Sequence, residues 1–543
     1  MKKIISLMLI VVLCLSLCAC GGTTYESGDP SSDATVNNIK VTPYEMEFKN
    51  IVDGYIDHYT VAKNDFETDK EGFVSCDDFY VFLPANSVIS CEKEFAFFCY
   101  DSSYYLDSAI MEESGLTMDY ITPAFTTGSF TLSGDCYLRF SVKGSFEDIK
   151  ISVPEGQKDF VIYGNKEDLR TKSTLRLMKQ NLEGRDSAVN YIFMTDLHYD
   201  MGPDTPQGAA LIRQVETAVA IANSNDSVDF ICIGGDITSG MFESKEEYLK
   251  YTNEILGPLK KSEKPVFILM GNHDDNSYHR FTYDVYYPDR IMSDNDWNEK
   301  ILKTYCPSDI KQDSDYKNSK YFYYDLNDKK TRVICLDSVD YRAKFDNKGK
   351  ITELPIKNSL ATTHLDKYWS GCSWWGYSNG QLEWLVNEAM TAGDDWNYVF
   401  LSHMGIDYQT NAYNYGVIGG SELRKIISAY QNKKDCKIGT AQADFSKTKG
   451  RILAYQFGHQ HLELTLKSKD INLWQICTST AGAGQRASTL ISSTSVSDKT
   501  LGWKVFDRIL GTESEACIDV MSADNKKVYK WNIGGGDDVV MEQ

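Results

Sequence analysis

From about Ala188 onward, apolar residues fall in short runs separated by stretches with helical spacing. Residues 191–194, 230–233, 266–270, 321–324, 333–336, 398–401 and 452–457 have strand length and β-type composition. After the first run, Thr205-Pro206 marks a helix start with proline at the first helical position. Leu211, Val215, Ala218 and Ala222 keep helical spacing behind it. Ser244 with Glu247 forms a capping-box signature before Tyr248, Tyr251, Ile255 and Leu259. A further helix is predicted over residues 380–390, with Leu382, Leu385, Val386 and Ala389 inward. Strands alternating with helices predict an α/β domain, assigned to residues 186–543, with β segments in its tail over 471–533.

The part before it has another texture. Residues 41–165 carry short apolar and aromatic runs between turn residues, at 79–83, 95–98, 137–142 and 149–153. That spacing predicts an all-β sandwich domain. The run Tyr137-Leu138-Arg139-Phe140-Ser141-Val142 resembles a strand of the small jelly-roll modules on bacterial surface enzymes. The resemblance implies a cell-surface glycan as a partner of this domain. His58 reads as a surface or packing residue, and residues 167–185 as a charged connection.

Residues 1–20 read as a targeting segment. Lys2 and Lys3 precede an apolar run over 4–19 interrupted only by Ser6 and Ser16. Its end, Leu17-Cys18-Ala19-Cys20, resembles a bacterial lipoprotein signal, although Cys18 departs from the usual small or branched residue. The resemblance implies acylation of Cys20 and a lipid anchor on the extracytoplasmic side of the membrane; an ordinary secretory signal would export the chain as well. Residues 21–40 are rich in Gly, Ser, Thr and Asp and read as a flexible tether.

Composition changes this picture in two ways. At 543 residues the chain exceeds one ordinary core. Its formal net charge of −21 repels nucleic-acid backbones, so no stable nucleic-acid partner is expected. The charge does not exclude a phosphate substrate, because local cations reverse the field at a site. Of fourteen cysteines, three lie in the targeting segment and the rest are scattered without zinc-finger spacing. Cys232, Cys335 and Cys477 sit inside apolar runs and read as small core residues.

Five predicted strands deliver Asp, His or Asn at their ends. They run into Thr195-Asp196-Leu197-His198, Gly234-Gly235-Asp236, Gly271-Asn272-His273-Asp274, Ser402-His403 and Gly458-His459-Gln460-His461. Only eight histidines occur in the chain, and these blocks hold five of them. Each block alone reads as a turn or a buried histidine; five in series at strand ends do not. Neutral imidazoles, carboxylates and one amide suit borderline divalent ions such as Mn, Fe or Zn. The absence of cysteine from these blocks argues against a structural zinc site.

As a set, the blocks resemble the calcineurin-like metallophosphoesterases, with secondary landmarks at residues 333–338 and 381–385. The resemblance implies a four-layer sandwich, two central mixed β-sheets flanked by helices. It implies two divalent metal ions. Asp196, His198 and His461 would hold the first, Asn272, His403 and His459 the second, and Asp236 would bridge them. His273 would face the substrate as general acid or phosphoryl stabiliser, and Asp274 would orient it. The implied reaction is hydrolysis of a phosphomonoester or phosphodiester by in-line attack of metal-bound water or hydroxide. Gly-Asp is followed here by Ile237-Thr238-Ser239, so the tyrosinate ligand of the purple acid phosphatase branch is not expected.

Candidate pocket walls are the aromatic residues of 275–287 with Arg280, then Trp374-Trp375, Asp407, Tyr408 and Tyr413. They do not discriminate among a nucleotide, a phospholipid headgroup and a phosphorylated glycan. The competing class is a surface-binding lipoprotein whose β domain binds glycan while the metal domain is a non-catalytic scaffold. A complete ligand set together with His273 argues against it.

Overall fold

The structure, a computed structural model, describes residues 34–36, 39–55, 68, 71–100, 125–132, 134–278, 288–340, 344–345, 351–353, 375–406, 417–468, 470–481, 486–491, 504–509, 518–533 and 538–543. The targeting segment with Cys20, most of the tether, His58, Arg280 and its neighbours over 279–287, Trp374, Asp407, Tyr408 and Tyr413 lie outside the described residues. The chain divides into two units, residues 1–177 and 178–543. The division falls inside the helix Lys166–Leu182, where the sequence predicts a charged connection.

In the first unit ten strands join one branched antiparallel sheet. Its longest strand, Val88–Tyr100, pairs through Val88–Cys91 with Ile149–Pro154 and through Phe95–Tyr100 with Cys136–Lys143. Its pairing with Thr126–Thr131 shifts register between Cys91 and Phe95. Such an irregularity lets one strand turn a corner and serve two sets of partners. Val81, Leu83, Ile89, Phe95, Phe97, Leu138, Phe140, Val142, Ile151 and Val153 form the buried core. Arg139, only 1% exposed, is satisfied there by two bonds donated to the Cys76 carbonyl at 3.3 Å. Cys136 is disulfide-bonded.

The second unit holds two mixed sheets. The first runs β3-β2-β1-β10-β11-β12, where β1 is Val189–Met194, β2 Phe230–Ile233, β3 Val266–Ile268, β10 Ile518–Ala523, β11 Lys527–Ile533 and β12 Val539–Glu542. The second contains β4 (Phe322–Leu326), β5 (Thr331–Cys335), β6 (Asn397–Leu401), β7 (Ile452–Phe457), β9 (Leu473–Cys477) and β8 (Leu462–Ser468), in that order. Short strands flank it at Lys311–Gln312, Arg486–Ile491 and Lys504–Ile509. β1, β2 and β3 are parallel, with Met194 opposite Ile233 and Ile233 opposite Ile268. β5, β6 and β7 are parallel too, with Cys335 opposite Leu401 and Leu401 opposite Gln456. Every residue of the two triplets except Asn397 is buried, and most are apolar, as in strands covered on both faces. Matched register brings the polar residues after each strand to one level, at the carboxyl edge where α/β sheets bind ligands.

Two crossover helices set that parallel order. α1, Pro206–Ser224, links β1 to β2, and Thr205 caps it by accepting the Gly208 amide. α2, Lys245–Leu256, links β2 to β3. Ser244 caps α2 by accepting the Glu247 amide at 3.0 Å, but the Glu247 carboxylate reaches Glu243 N rather than Ser244 N. The predicted capping box is therefore half formed. The predicted helix at 380–390 is a short α-helix, Asn379–Trp384, continued by a wider π turn, Leu385–Ala389. A further helical stretch covers Asp294 to Tyr305, with Trp297, Ile301 and Leu302 buried. The sequence pattern predicts no helix there. Cys232, Cys335 and Cys477 are buried free thiols, as expected of core residues.

Candidate metal centre

The loops after β1 and β2 are held together by backbone bonds before any side chain is considered. Asp196 N donates to Gly235 O at 2.9 Å, His198 N to Asp236 O at 3.1 Å and Tyr199 N to Ile237 O at 2.9 Å. The loop after β7 joins them, because His459 N donates to Asp196 Oδ2 at 2.9 Å and Gly458 N to His403 O at 3.0 Å. The space is tight. A Cβ on Gly271 would run into the backbone and carboxylate of Asp236, and one on Gly458 into Thr195 and Asp196. Asp196, His198, Asp236, His459 and His461 all take left-handed backbone, with φ between 45° and 68°. Five non-glycine residues in that sparsely populated region, all in candidate ligand blocks, mark strain retained at one place.

Two clusters of donor atoms result. Asp196, His198 and His461 form one, and Asp236, His403 and His459 the other, each with its ligand atoms within 4.8 Å of one another. In the first, His461 Nε2 lies 3.1 Å from His198 Nε2 and 3.3 Å from Asp196 Oδ1. In the second, His403 Nε2 lies 3.0 Å from Asn272 Oδ1 and 3.2 Å from Asp236 Oδ2. Asp236 Oδ2 is also 3.9 Å from His198 Nε2, so one oxygen faces both clusters. Its other oxygen, Oδ1, accepts His273 N–H at 2.9 Å. All seven predicted ligands therefore converge.

The donor set fits cations. His459 Nε2 is buried without a hydrogen-bond partner, a costly arrangement unless an ion satisfies it. Two imidazole nitrogens 3.1 Å apart, as in His198 and His461, need a proton or a cation to attract them. His403 donates Nδ1–H to the Gly234 carbonyl at 2.9 Å, which aims Nε2 at the pocket as metal-ligating histidines require.

Charge follows from this crowding. Burial works to raise the Asp196 carboxyl, but His461 and His403 hold it down at about 2. Burial opposes the Asp236 charge as well, and His403, His273 and His198 keep it well below the usual carboxylate range. Burial tends to lower His403, yet Asp236 wins and lifts it to about 9. Burial and the charge of His273 push His198 down to about 3; burial and the charge of His403 do the same to His459. Thus the protein itself holds one imidazolium against one carboxylate in the second cluster.

His273 stands beside both clusters. Its Nε2 is 3.9 Å from Asp236 Oδ2, and its ring meets His198 edge-on at 4.9 Å between centroids. Nδ1–H donates to the Ser239 carbonyl at 2.8 Å. That bond corrects the expected role of Asp274, which does not touch the imidazole. The Asp274 carboxylate instead accepts the backbone N–H of Gly271 at 2.7 Å, Asp236 at 2.8 Å and Ile237 at 2.9 Å. Burial and the nearby Asp236 charge push this carboxyl up to about 7, against the pull of those donors. Asp274 ties the β2 and β3 loops together, and Ser239 orients His273.

Two residues gain importance beyond the sequence reading. Ser239 also faces His198 Nδ1 with its hydroxyl at 3.4 Å and donates its N–H to Asp200 at 2.9 Å. Trp375, one of the expected wall residues, packs its ring against His459 at 4.7 Å.

The family model described as "Calcineurin-like phosphoesterase" matches residues 189–463. No curated protein matches the chain. Among solved structures, a dimetal phosphatase from Danio rerio is similar at 12% identity, covering 65% of this chain and 98% of that one, with a TM-score of 0.43. GAP50, the anchor in the inner membrane complex of Plasmodium, is similar at 12% identity over 65% of this chain and 88% of its own, with a TM-score of 0.30. The family match spans just over half of the chain and contains all five ligand blocks: this protein belongs to the calcineurin-like phosphoesterases.

Proposed function

We propose that the protein hydrolyses a phosphomonoester or phosphodiester at this centre, with Asp236 shared between two cations and His273 facing the reacting phosphoryl group. The observation that carries the reading is the position of Asp236 Oδ2, within 3.9 Å of ligand nitrogens from both clusters and of His273 Nε2. Asp196, His198 and His461 would hold one ion, and Asn272, His403 and His459 the other. Two divalent ions, Mn, Fe or Zn, would supply Lewis-acid polarisation of a phosphoryl oxygen and acidify a water at neutral pH. His273 keeps one fixed ring orientation through Ser239 O, which aims Nε2 so that the imidazolium form could steady a phosphoryl oxygen or hand its Nε2 proton to the leaving oxygen. The Asp236 and Asp196 carboxylates remain charged, so the pocket attracts cations despite its burial.

Export belongs to the same proposal. It rests on the charged and apolar pattern of residues 1–20, and the disulfide at Cys136 supports an oxidising compartment. The substrate would be a nucleotide, a phospholipid headgroup or a phosphorylated glycan.

Turnover of p-nitrophenyl phosphate and its bis-ester, with Mn2+ and after chelation, tests the reading. Hydrolysis that disappears on chelation and returns with Mn2+ is the expected result; no turnover of either ester by Mn2+-loaded protein overturns it. His273→Ala should keep both ions and lose roughly 10²–10⁴-fold in kcat. Unchanged kcat in that variant would remove the role given to His273.

A further inference from the structure

The second cluster contains one ligand whose identity depends on orientation. An Asn side chain offers an oxygen at one end and an NH2 group at the other, with nearly the same shape. Only the oxygen can hold a cation. Asn272 is 1% exposed, so water does not decide which end turns inward. Its Oδ1 lies 3.0 Å from His403 Nε2, on the pocket side. Its Nδ2–H donates to the phenol oxygen of Tyr278 at 2.7 Å. A flipped amide would point N–H at the ion; the phenol, which donates as well as accepts, could bond either end, so its contact fixes where the amide sits, here with Oδ1 on the His403 side.

Tyr278 is itself held in place. Its ring stacks on the His273 imidazole, with centroids 3.6 Å apart and planes 18° from parallel. The chain spacing makes this reach: Asn272 through Ser277 form a succession of turns, which bring residue 278 back over 272 and 273. Asp275 Oδ1 accepts Ser277 N at 2.9 Å within that turn, and Asn276 takes left-handed backbone at φ 62°. One side chain thus touches a candidate ligand with its oxygen and the candidate acid with its face.

We propose that Tyr278 is a positioning residue that holds the Asn272 side chain in place beside the second cation. This rests on the reading that the cluster of Asp236, Asn272, His403 and His459 holds an ion. It adds a residue that the ligand blocks do not contain. Partners that orient a metal ligand from behind typically set affinity by about 10–100-fold, and Tyr278 occupies that place for Asn272.

The test is Mn2+ titration of the full chain by calorimetry, in the native protein, Tyr278→Phe, Asn272→Ala and the double variant. Tyr278→Phe keeps the ring on His273 and removes only the oxygen. It should weaken one of two Mn2+ sites by roughly 10–100-fold and leave the other unchanged. Excess Mn2+ should then restore turnover. In the Asn272→Ala background there is no amide to hold, so Tyr278→Phe should cost nothing further. Equal losses in both backgrounds would show a packing role and overturn the proposal, as would unchanged affinity in Tyr278→Phe alone. If the native chain takes up no Mn2+, the proposed function fails first; two-site uptake that ignores Tyr278 defeats only this inference.

Discussion

The two halves of the metal centre are built differently. In the second cluster His403 is fully buried, its Nδ1 is fixed by the Gly234 carbonyl, and Asn272 is fixed by Tyr278. In the first, the His461 side chain is 26% exposed, and His198 has only the Ser239 hydroxyl at 3.4 Å behind it. Ligands held from behind are pre-organised, so they lose less freedom when an ion binds. The second cluster should therefore fill first and release its ion last. The first, nearer to solvent, should exchange readily.

Removing what the halves share should have the largest effect. Asp236→Asn replaces the one oxygen that faces both clusters with a neutral amide, and also weakens the bond that holds His273 N. The expected result is loss of at least one Mn2+ from the titration and a fall in kcat/KM beyond the roughly 10²–10³-fold typical of a single lost electrostatic contact. A variant that kept two Mn2+ sites of native affinity would break the comparison, because the clusters would then be independent.

Both clusters raise one imidazole against burial, His461 beside Asp196 in the first and His403 beside Asp236 in the second. In the second cluster His403 donates from both nitrogens, toward Gly234 O and toward Asn272 Oδ1 and Asp236 Oδ2, so it is an imidazolium until a cation displaces the Nε2 proton. Its pKa rises from the usual 6.5 to about 9 in the folded chain. A cationic group raised on folding stabilises fully below the unfolded value and loses that contribution as pH climbs through the folded one. In chelated protein, the His403–Asp236 pair thus contributes on the order of 3 kcal/mol below pH 6.5, fading by about pH 9. With the proton replaced by a cation, that loss is absent. Thermal unfolding of chelated and Mn2+-loaded protein should accordingly diverge as pH rises from 6.5 to 9. Parallel curves across that window would mean that His403 does not exchange a proton for the ion.

The ligand blocks were legible because each side chain's chemistry is visible in its letter, and the apolar runs announce where strands end. The parallel order was legible for the same reason: Thr205-Pro206 and Ser244 punctuate the crossovers. What failed depended on direction. Asp274 follows His273 in the chain, and the family resemblance implied that it orients the imidazole. In the turn that begins at Gly271 the carboxylate folds back onto three amides instead. The group that orients His273 is a backbone carbonyl, which no residue letter reports. The helix from Asp294 carried a readable start, since Ser293 and Asp296 form a reciprocal capping box. Its π turn at Asn298–Leu302 disturbs the 3.6-residue spacing on which a helix assignment rests.

The smallest effect should come from the weakest support in the first cluster. Ser239 acts through its backbone as well as its hydroxyl: the carbonyl holds His273, and the N–H binds Asp200. Ser239→Ala leaves both intact and deletes the hydroxyl, which faces His198 Nδ1 at 3.4 Å and also bonds the Asp200 carboxylate. A hydrogen bond that long is weak. Mn2+ affinity at the first cluster should fall by less than the roughly tenfold lower bound for a well-placed supporting group, with the second cluster untouched. A tenfold or larger loss would mean that the two halves are supported equally. Loss of kcat at saturating Mn2+ would mean that the hydroxyl, rather than the carbonyl, governs the position of His273.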